Sequence, residues 1–229
     1  MKINVISTGS SGNLYEILDS AGNSMILECG MPRSHYVKYR IGKLPPEMAI
    51  ISHSHSDHAQ YKGEFLAVMP VYLSQEKNTS ENWKALGFET NHGDCITTVF
   101  IIKSLVEEKF LFFGTDFEYD SYCNEVLEML QKYRVENFLI ECNYNDYLIH
   151  MNDVTDDMKK QCGRHLSDND VINFIKRTGA KNPKIITIHG SNRLSADTHT
   201  KKYLSSKLIT STVFVAVGVK ENIKNIFIV

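Results

Sequence analysis

Within six residues, His53-Ser54-His55-Ser56-Asp57-His58 offers four groups that can ligate a metal ion. Imidazole nitrogen and carboxylate oxygen suit zinc, manganese or iron. The spacing has a physical meaning. In extended backbone, alternate side chains share a face, so His53 and His55 can approach one ion together. Asp57 and His58 follow at the expected start of a helix and can turn toward a second ion. The apolar run Met48–Ile51 just before them reads as a short buried strand, whose end would hold the loop rigid.

The elements that must position this loop can be read around it. Lys2–Ser7, Leu14–Leu18 and Met25–Glu28 read as strands, the last two separated by the turn sequence Asp19-Ser20-Ala21-Gly22-Asn23. Pro45-Pro46 marks a loop between a short helix and a strand. Val68–Leu73 reads as a strand and Gln75–Leu86 as a helix carrying Trp83 for packing. Thr98–Lys103 and Lys109–Gly114 read as strands flanking a turn. Asn124–Tyr133 has Val126, Leu127, Leu130 and Tyr133 at helical spacing. Phe138–Glu141 and Lys184–Ile188 read as buried strands. Between them, Ser167 opens a helix that Gly179 stops. Thr212–Val217 and Ile223–Val229 read as closing strands. The aromatic residues of 110–122 are expected in the core and at its rim. Strands interleaved with helices, several ending in polar clusters, define a mixed α/β fold.

Composition narrows the setting. The chain has 229 residues with 25 Lys+Arg against 27 Asp+Glu, a formal charge of −2. It is long enough for one domain with a full core, and 1–229 is expected to be a single domain. No apolar run approaches the ~18–20 residues of a membrane span, and Met1–Val5 does not read as a secretory leader. Five cysteines, an odd number without a C-x-x-C pair, argue for small core residues in a reducing cytoplasm rather than for disulfides. The charge is uneven. Residues 176–229 hold ten basic and two acidic residues, net +8, which leaves −10 for residues 1–175. Such a segment can attract phosphate-bearing molecules, although it reads equally as a Lys-rich solvated surface.

The His53-x-His55-x-Asp57-His58 run resembles the signature of the metallo-β-lactamase fold hydrolases. The resemblance implies an αββα four-layer sandwich and further ligands at distant strand ends. His92 in Asn91-His92-Gly93-Asp94, Asp116 after Phe112-Phe113-Gly114-Thr115, and His189 after Ile185–Ile188 occur in the implied order. Two divalent ions are then implied, Zn²⁺ with Mn²⁺ as a substitute. His53, His55 and His92 would hold one; Asp57, His58 and His189 would hold the other; Asp116 would bridge them. Such a pair lowers the pKa of bound water far below ~15.7 and screens charge on a phosphodiester.

A second set of residues resembles the phosphodiesterase branch, including the YycJ/WalJ-type exonucleases and the phage anti-Pycsar cyclic nucleotide phosphodiesterases. It comprises Ser10-Ser11-Gly12-Asn13, Gly163-Arg164-His165-Leu166-Ser167 and His189-Gly190-Ser191-Asn192. His165 is the implied general acid or phosphate ligand. Catalytic roles fall to Asp57, His165 and Glu141, the last either orienting a ligand or ending a strand at the surface. Ser10, Ser11 and Asn13, with His165, would contact substrate. Where the family has aspartate this chain has Glu28, at a position that supports the ligand loop. His35, His150 and His199 match no ligand position and read as surface or helix histidines. The implied activity is hydrolysis of a small nucleotide, foremost a 3′,5′-cyclic mononucleotide, which in a phage enzyme would serve immune evasion in the host cytoplasm. A 5′–3′ DNA exonuclease is the alternative, favoured by the +8 segment, and a non-hydrolytic nucleotide-binding sponge is the second. A homodimer is implied, with 144–158 as a candidate intersubunit loop.

Overall fold

A computed structural model describes residues 1–73, 77–122, 124–151, 153–191, 194, 197–208, 210–216 and 225–229. The chain divides into two compact units. One comprises residues 1–87, 100–110 and 216–229; the other comprises 88–99 and 111–215. No helix among the described residues is long and apolar enough to cross a membrane.

In chain order the elements are β1 (Lys2–Ser7), β2 (Leu14–Leu18), β3 (Ser24–Leu27), α1 (Arg33–Tyr39), β4 (Ala49–Ile50), α2 (Ser56–Ala59), α3 (Lys62–Leu66), β5 (Val71–Tyr72), β6 (Asn78–Thr79), β7 (Trp83–His92), β8 (Cys95–Ser104), β9 (Phe110–Gly114), α4 (Asn124–Lys132), β10 (Asn137–Glu141), a 3₁₀ turn (Leu148–His150), α5 (Asp156–Cys162), α6 (Asp168–Thr178), β11 (Lys184–Ile188), α7 (Asp197–Lys207), β12 (Thr212–Val215) and β13 (Asn225–Ile228). Among the described residues they form a six-stranded sheet, β13-β1-β2-β3-β4-β5, and a seven-stranded sheet, β12-β11-β10-β9-β8-β7-β6.

The first sheet changes character at β3. The strands β13, β1, β2 and β3 pair antiparallel, whereas β3, β4 and β5 pair parallel with Leu27 opposite Ile50. Parallel pairing aligns strand ends, so the chain leaves β3 and β4 on the same side of the sheet. Ile6, Leu14, Ile26, Tyr36, Ala49, Ile51 and Phe65 pack there as one core. Buried Glu16 on β2 is held by four donors: Ile41 N–H (2.8 Å), Gly42 N–H (3.2 Å), Tyr36 hydroxyl (3.2 Å) and Asn4 amide (3.1 Å). A carboxylate that accepts this many bonds can sit in a core at tolerable cost.

In the second unit β9, β10 and β11 are parallel, with Phe138 opposite Phe112 and Ile185. Phe112 packs on Phe174 of α6 at 5.0 Å between ring centroids and on Phe138 at 6.1 Å. Phe117 and Tyr122 close the same cluster. The aromatic stretch is thus core and rim.

The expected helix Gln75–Leu86 is overturned where it is described. Asn78 pairs with Ala85 and Thr79 with Lys84 in a hairpin, and Ser80 N–H donates to Trp83 O (2.9 Å). Trp83 is buried but on a strand. Trp83, Ala85 and Gly87 alternate onto the buried face of β7, and this local hairpin pairing overrides a short helical pattern. Residues 74–76 lie outside the described set, as do Cys123, Asn192, Val217 and residues 223–224 of other expected features. Val68–Leu73 shortens to β5 because α3 extends as a turn, with Met69 N–H donating to Phe65 O (3.0 Å). Glu28 lies beyond β3 in the left-handed region (φ 63°). Cys29, Cys142 and Cys162 are buried and free, but Cys95 is partly exposed at the start of β8 and is no core residue.

Helix α6 begins as its sequence suggests. Ser167 Oγ accepts from Asp170 N–H (3.1 Å) while Ser167 N–H donates to Asp170 Oδ2 (2.9 Å), a reciprocal cap. Gly179 ends the helix at φ 72°. Ser167→Ala should destabilise the protein by about 1–2 kcal/mol, read as a lower urea midpoint at unchanged m-value.

Candidate metal centre

The first unit contributes the loop between β4 and α2. His53 and His58 are buried and His55 is exposed. His53 Nε2 and His55 Nδ1 lie 2.9 Å apart. Two nitrogens that close can bind one ion, since Zn–N bonds are about 2.0–2.1 Å. His53 Nδ1 lies 2.9 Å from Ser52 Oγ, which orients the ring. On the other side of the loop, His58 Nε2 is 3.3 Å from Asp57 Oδ2, and His58 Nδ1 is 3.4 Å from buried Glu28 Oε2. Glu28 also accepts from Ser52 N–H at 3.2 and 3.3 Å. One carboxylate therefore braces both ends of the histidine loop.

The Ser7–Asn13 loop is locked onto the same turn. Asn13 N–H donates to Asp57 O (2.7 Å), and Asn13 Nδ2 lies 3.2 Å from Asp57 O and 3.1 Å from His58 Nε2. Asn13 Oδ1 accepts from Gly9 N–H and Tyr15 hydroxyl, both at 2.9 Å. The amide is thereby spent on holding the loops. Gly12 N–H is also engaged, on Gly9 O (2.9 Å). Exposed Ser10 and Ser11 remain at the tip.

The second unit gathers donors at the carboxyl ends of its parallel strands, where α/β sheets place their ligands. Asp116 follows β9, Glu141 ends β10 and His189 follows β11. Asp116 and His189 both take left-handed backbone (φ 49° and 54°), a conformation uncommon outside glycine that turns each side chain out of its strand's alternation. His165 comes from the loop between α5 and α6. Ligand atoms of Asp116, Glu141, His165 and His189 lie within 4.8 Å of one another. His189 Nδ1 is 3.1 Å from Asp116 Oδ1 and 3.4 Å from Glu141 Oε1. His165 Nδ1 is 2.5 Å from Glu141 Oε1 and 3.5 Å from Asp116 Oδ1. Glu141 is fully buried, so it is no surface carboxylate. His92, at the end of β7, donates from Nδ1 to Arg164 O (2.9 Å), which leaves Nε2 with its lone pair 3.9 Å from Asp116 Oδ2.

The titration of these groups follows from their neighbours. Burial disfavours the charged form of His165, but Glu141 and Asp116 outweigh it and push its pKa up to about 10. Burial would raise Glu141, yet the imidazole of His165 outweighs it and holds the carboxyl below the usual carboxylate range. Burial dominates at His92 and pulls its pKa down, which favours the neutral, ligating form. Borderline-hard nitrogen and oxygen donors with oriented tautomers fit divalent zinc or manganese.

Each unit thus carries part of the expected donor set: His53, His55, Asp57 and His58 in the first, His92, Asp116 and His189 in the second. His35 sits on α1, partly exposed, while His150 and His199 are exposed on the 3₁₀ turn and α7. Sequence reasoning did not reach Asn143, whose amide donates to His189 O (3.0 Å), or Gly30. Neither has a periodic or motif signal of its own.

No family model and no curated protein matches this chain. Solved structures do. The metallo-β-lactamase fold protein YhfI from Bacillus subtilis superposes with a TM-score of 0.71 at 13% identity, covering 99% of this chain and 98% of that one. Human tRNase Z, short form, gives 0.62 at 12% identity, covering 94% and 96%. Zn²⁺-bound PqqB from Methylobacterium extorquens gives 0.67 at 9% identity, covering 100% of both. The chain has the metallo-β-lactamase fold.

Gly30 carries a direct test of the first unit's geometry. A Cβ there would fall 1.7 Å from Asp57 O and 2.8 Å from Asn13 N, whereas a Cβ at Gly63 meets nothing within 4 Å. Gly30→Ala should therefore displace the Asp57-His58 turn, cost about 1–3 kcal/mol and weaken zinc uptake in a chelator competition. Gly63→Ala should leave zinc uptake unchanged.

Proposed function

We propose that this chain is a metal-dependent phosphodiesterase whose two units work as one domain. His53, His55 and His92 would hold one divalent ion; Asp57, His58 and His189 would hold the other, with Asp116 between them. Bound there, zinc or manganese supplies a water of lowered pKa and a Lewis acid for phosphoryl oxygens. The carrying observation is His165 Nδ1 at 2.5 Å from buried Glu141 Oε1. An alkoxide leaving group needs a proton, and an imidazole oriented by a buried carboxylate can deliver one. The orienting bond keeps the proton at Nδ1 and presents Nε2 for transfer. Ser10 and Ser11 would contact substrate at the tip of the glycine loop.

The substrate in this reading is a small nucleotide, foremost a 3′,5′-cyclic mononucleotide, cleaved in the cytoplasm; in a phage protein the role would be immune evasion. The solved structures carry the fold and not this choice. DNA as substrate is favoured by one observation, the exposed Lys201 and Lys202 on α7 within the +8 segment. A homodimer through 144–158 belongs to the same proposal; Tyr147 and Met151 there are 74% and 48% exposed.

Zinc-loaded protein should convert cyclic AMP, cyclic UMP or cyclic CMP to nucleoside monophosphates. Degradation of 5′-phosphorylated DNA with the cyclic nucleotides left intact would replace this reading with the exonuclease. Stoichiometric nucleotide binding without turnover, unchanged by added Zn²⁺ or Mn²⁺, would replace it with a sponge.

Substitutions separate the roles. His53→Ala or Asp57→Ala should lose metal and activity together, and Asp116→Ala should lose the second equivalent of metal. His165→Ala should keep its metal, measured by atomic absorption, and turn over roughly 10²–10⁴-fold more slowly. Metal loss in His165→Ala would make it a ligand instead.

A further inference from the structure

The β7–β8 turn is fastened from two sides. Gly93 N–H donates to Glu118 Oε1 (2.8 Å), and His92 Nδ1 donates to the carbonyl of Arg164 (2.9 Å). The side chain of Arg164 then lies across the turn. A Cβ on Gly93 would stand 3.0 Å from its Cζ, 3.0 Å from its Nε and 3.1 Å from its Cδ. Gly93 has φ +60°. Glycine therefore answers two demands here: it takes a left-handed turn position, and it leaves the seat that the guanidinium occupies.

Arg164 is partly buried, and among the described residues no ion pair involves it. Glu118 accepts from Gly93 N–H through Oε1 and forms no ion pair with Arg164 among the described residues. The neighbours on either side are chemical ones. Arg164 precedes His165 in the chain, and the His92 and His165 rings stand 4.7 Å apart. A guanidinium partly removed from water and in no ion pair among the described residues can take an anion.

We propose that Arg164 binds the phosphate group of the substrate, with Gly93 as its seat. The planar fork of a guanidinium matches two phosphoryl oxygens at once, where an ammonium offers a point charge. A phosphodiester remains anionic throughout hydrolysis, so the contact serves substrate and product alike. Arg164 thereby selects phosphorylated substrates over neutral esters on the same fold. The identity of the anion as a substrate rests on the phosphodiesterase reading; the anion site itself rests on Arg164 and Gly93.

The test uses the full zinc-loaded chain. Inorganic phosphate binding is measured by calorimetry, and bis(p-nitrophenyl) phosphate hydrolysis by absorbance. Arg164→Ala should weaken phosphate binding roughly 10- to 100-fold and raise KM more than it lowers kcat, with zinc content and Tm retained. Arg164→Lys should recover part of the affinity. Gly93→Ala, which crowds the guanidinium by a few tenths of an ångström, should weaken phosphate affinity by less than Arg164→Ala does. Unchanged phosphate affinity in Arg164→Ala overturns the proposal. So does loss of zinc or Tm in both Arg164→Ala and Arg164→Lys, since the residue would then be a cover for the turn. Arg164-dependent phosphate binding without any diester hydrolysis by the wild type keeps the anion site and removes the phosphodiesterase reading. Hydrolysis with Arg164-independent binding does the reverse.

Discussion

Two buried carboxylates, Asp116 and Glu141, reach the same pair of imidazoles in the second unit, and the rest of that unit is arranged around the cost of keeping them there. Like charges in a place of low polarity cannot both stay ionised without positive compensation. His165 supplies part of it, and Glu141 and Asp116 push its pKa up to about 10 in return. Divalent ions at Asp116 would supply more. The demand for cations is thus built into the protein before any ligand arrives, because the parallel strands β9, β10 and β11 end side by side.

The same logic appears in the first unit with different parts. Its ligand loop is short and would be floppy alone. Glu28 braces Ser52 and His58, and Asn13 braces Asp57. Gly30 allows the backbones to approach closely enough for these bonds. Rigid side chains around a metal site are worth as much as the donors themselves, since an orienting partner fixes tautomer and direction. The Ser7–Asn13 loop is therefore first a clamp, and its exposed serines are what remains for a substrate.

Much of this was legible in the sequence, for reasons that differ by residue. The His53–His58 run announces itself because its donors are local. His92, Asp116 and His189 were implied by the family resemblance; apolar runs ending at Asp116 and His189 supported two of them, whereas the residues before His92 carry no such mark. The helix expected at 75–86 failed because its apolar spacing is short and ambiguous, and a hairpin partner at Asn78 decided it. Cys95 failed because composition says nothing of where a strand leaves the core. Asn143 and Gly30 had no signal, since each acts through a bond to a residue distant in the chain.

The sequence by itself determined the donor types, the helix start at Ser167, and the strands that precede His53, Asp116, Glu141 and His189, but not β7, which ends at His92. These depend on neighbours within a few residues, where propensity and side-chain reach suffice. Only the tertiary structure decided which carboxylate backs which histidine. Glu141 meets His165 across 24 positions, Glu28 meets Ser52 across 24, and Arg164 meets the turn at His92 across 72. Contacts at such separation are set by strand register and packing, and no local pattern of residues encodes them.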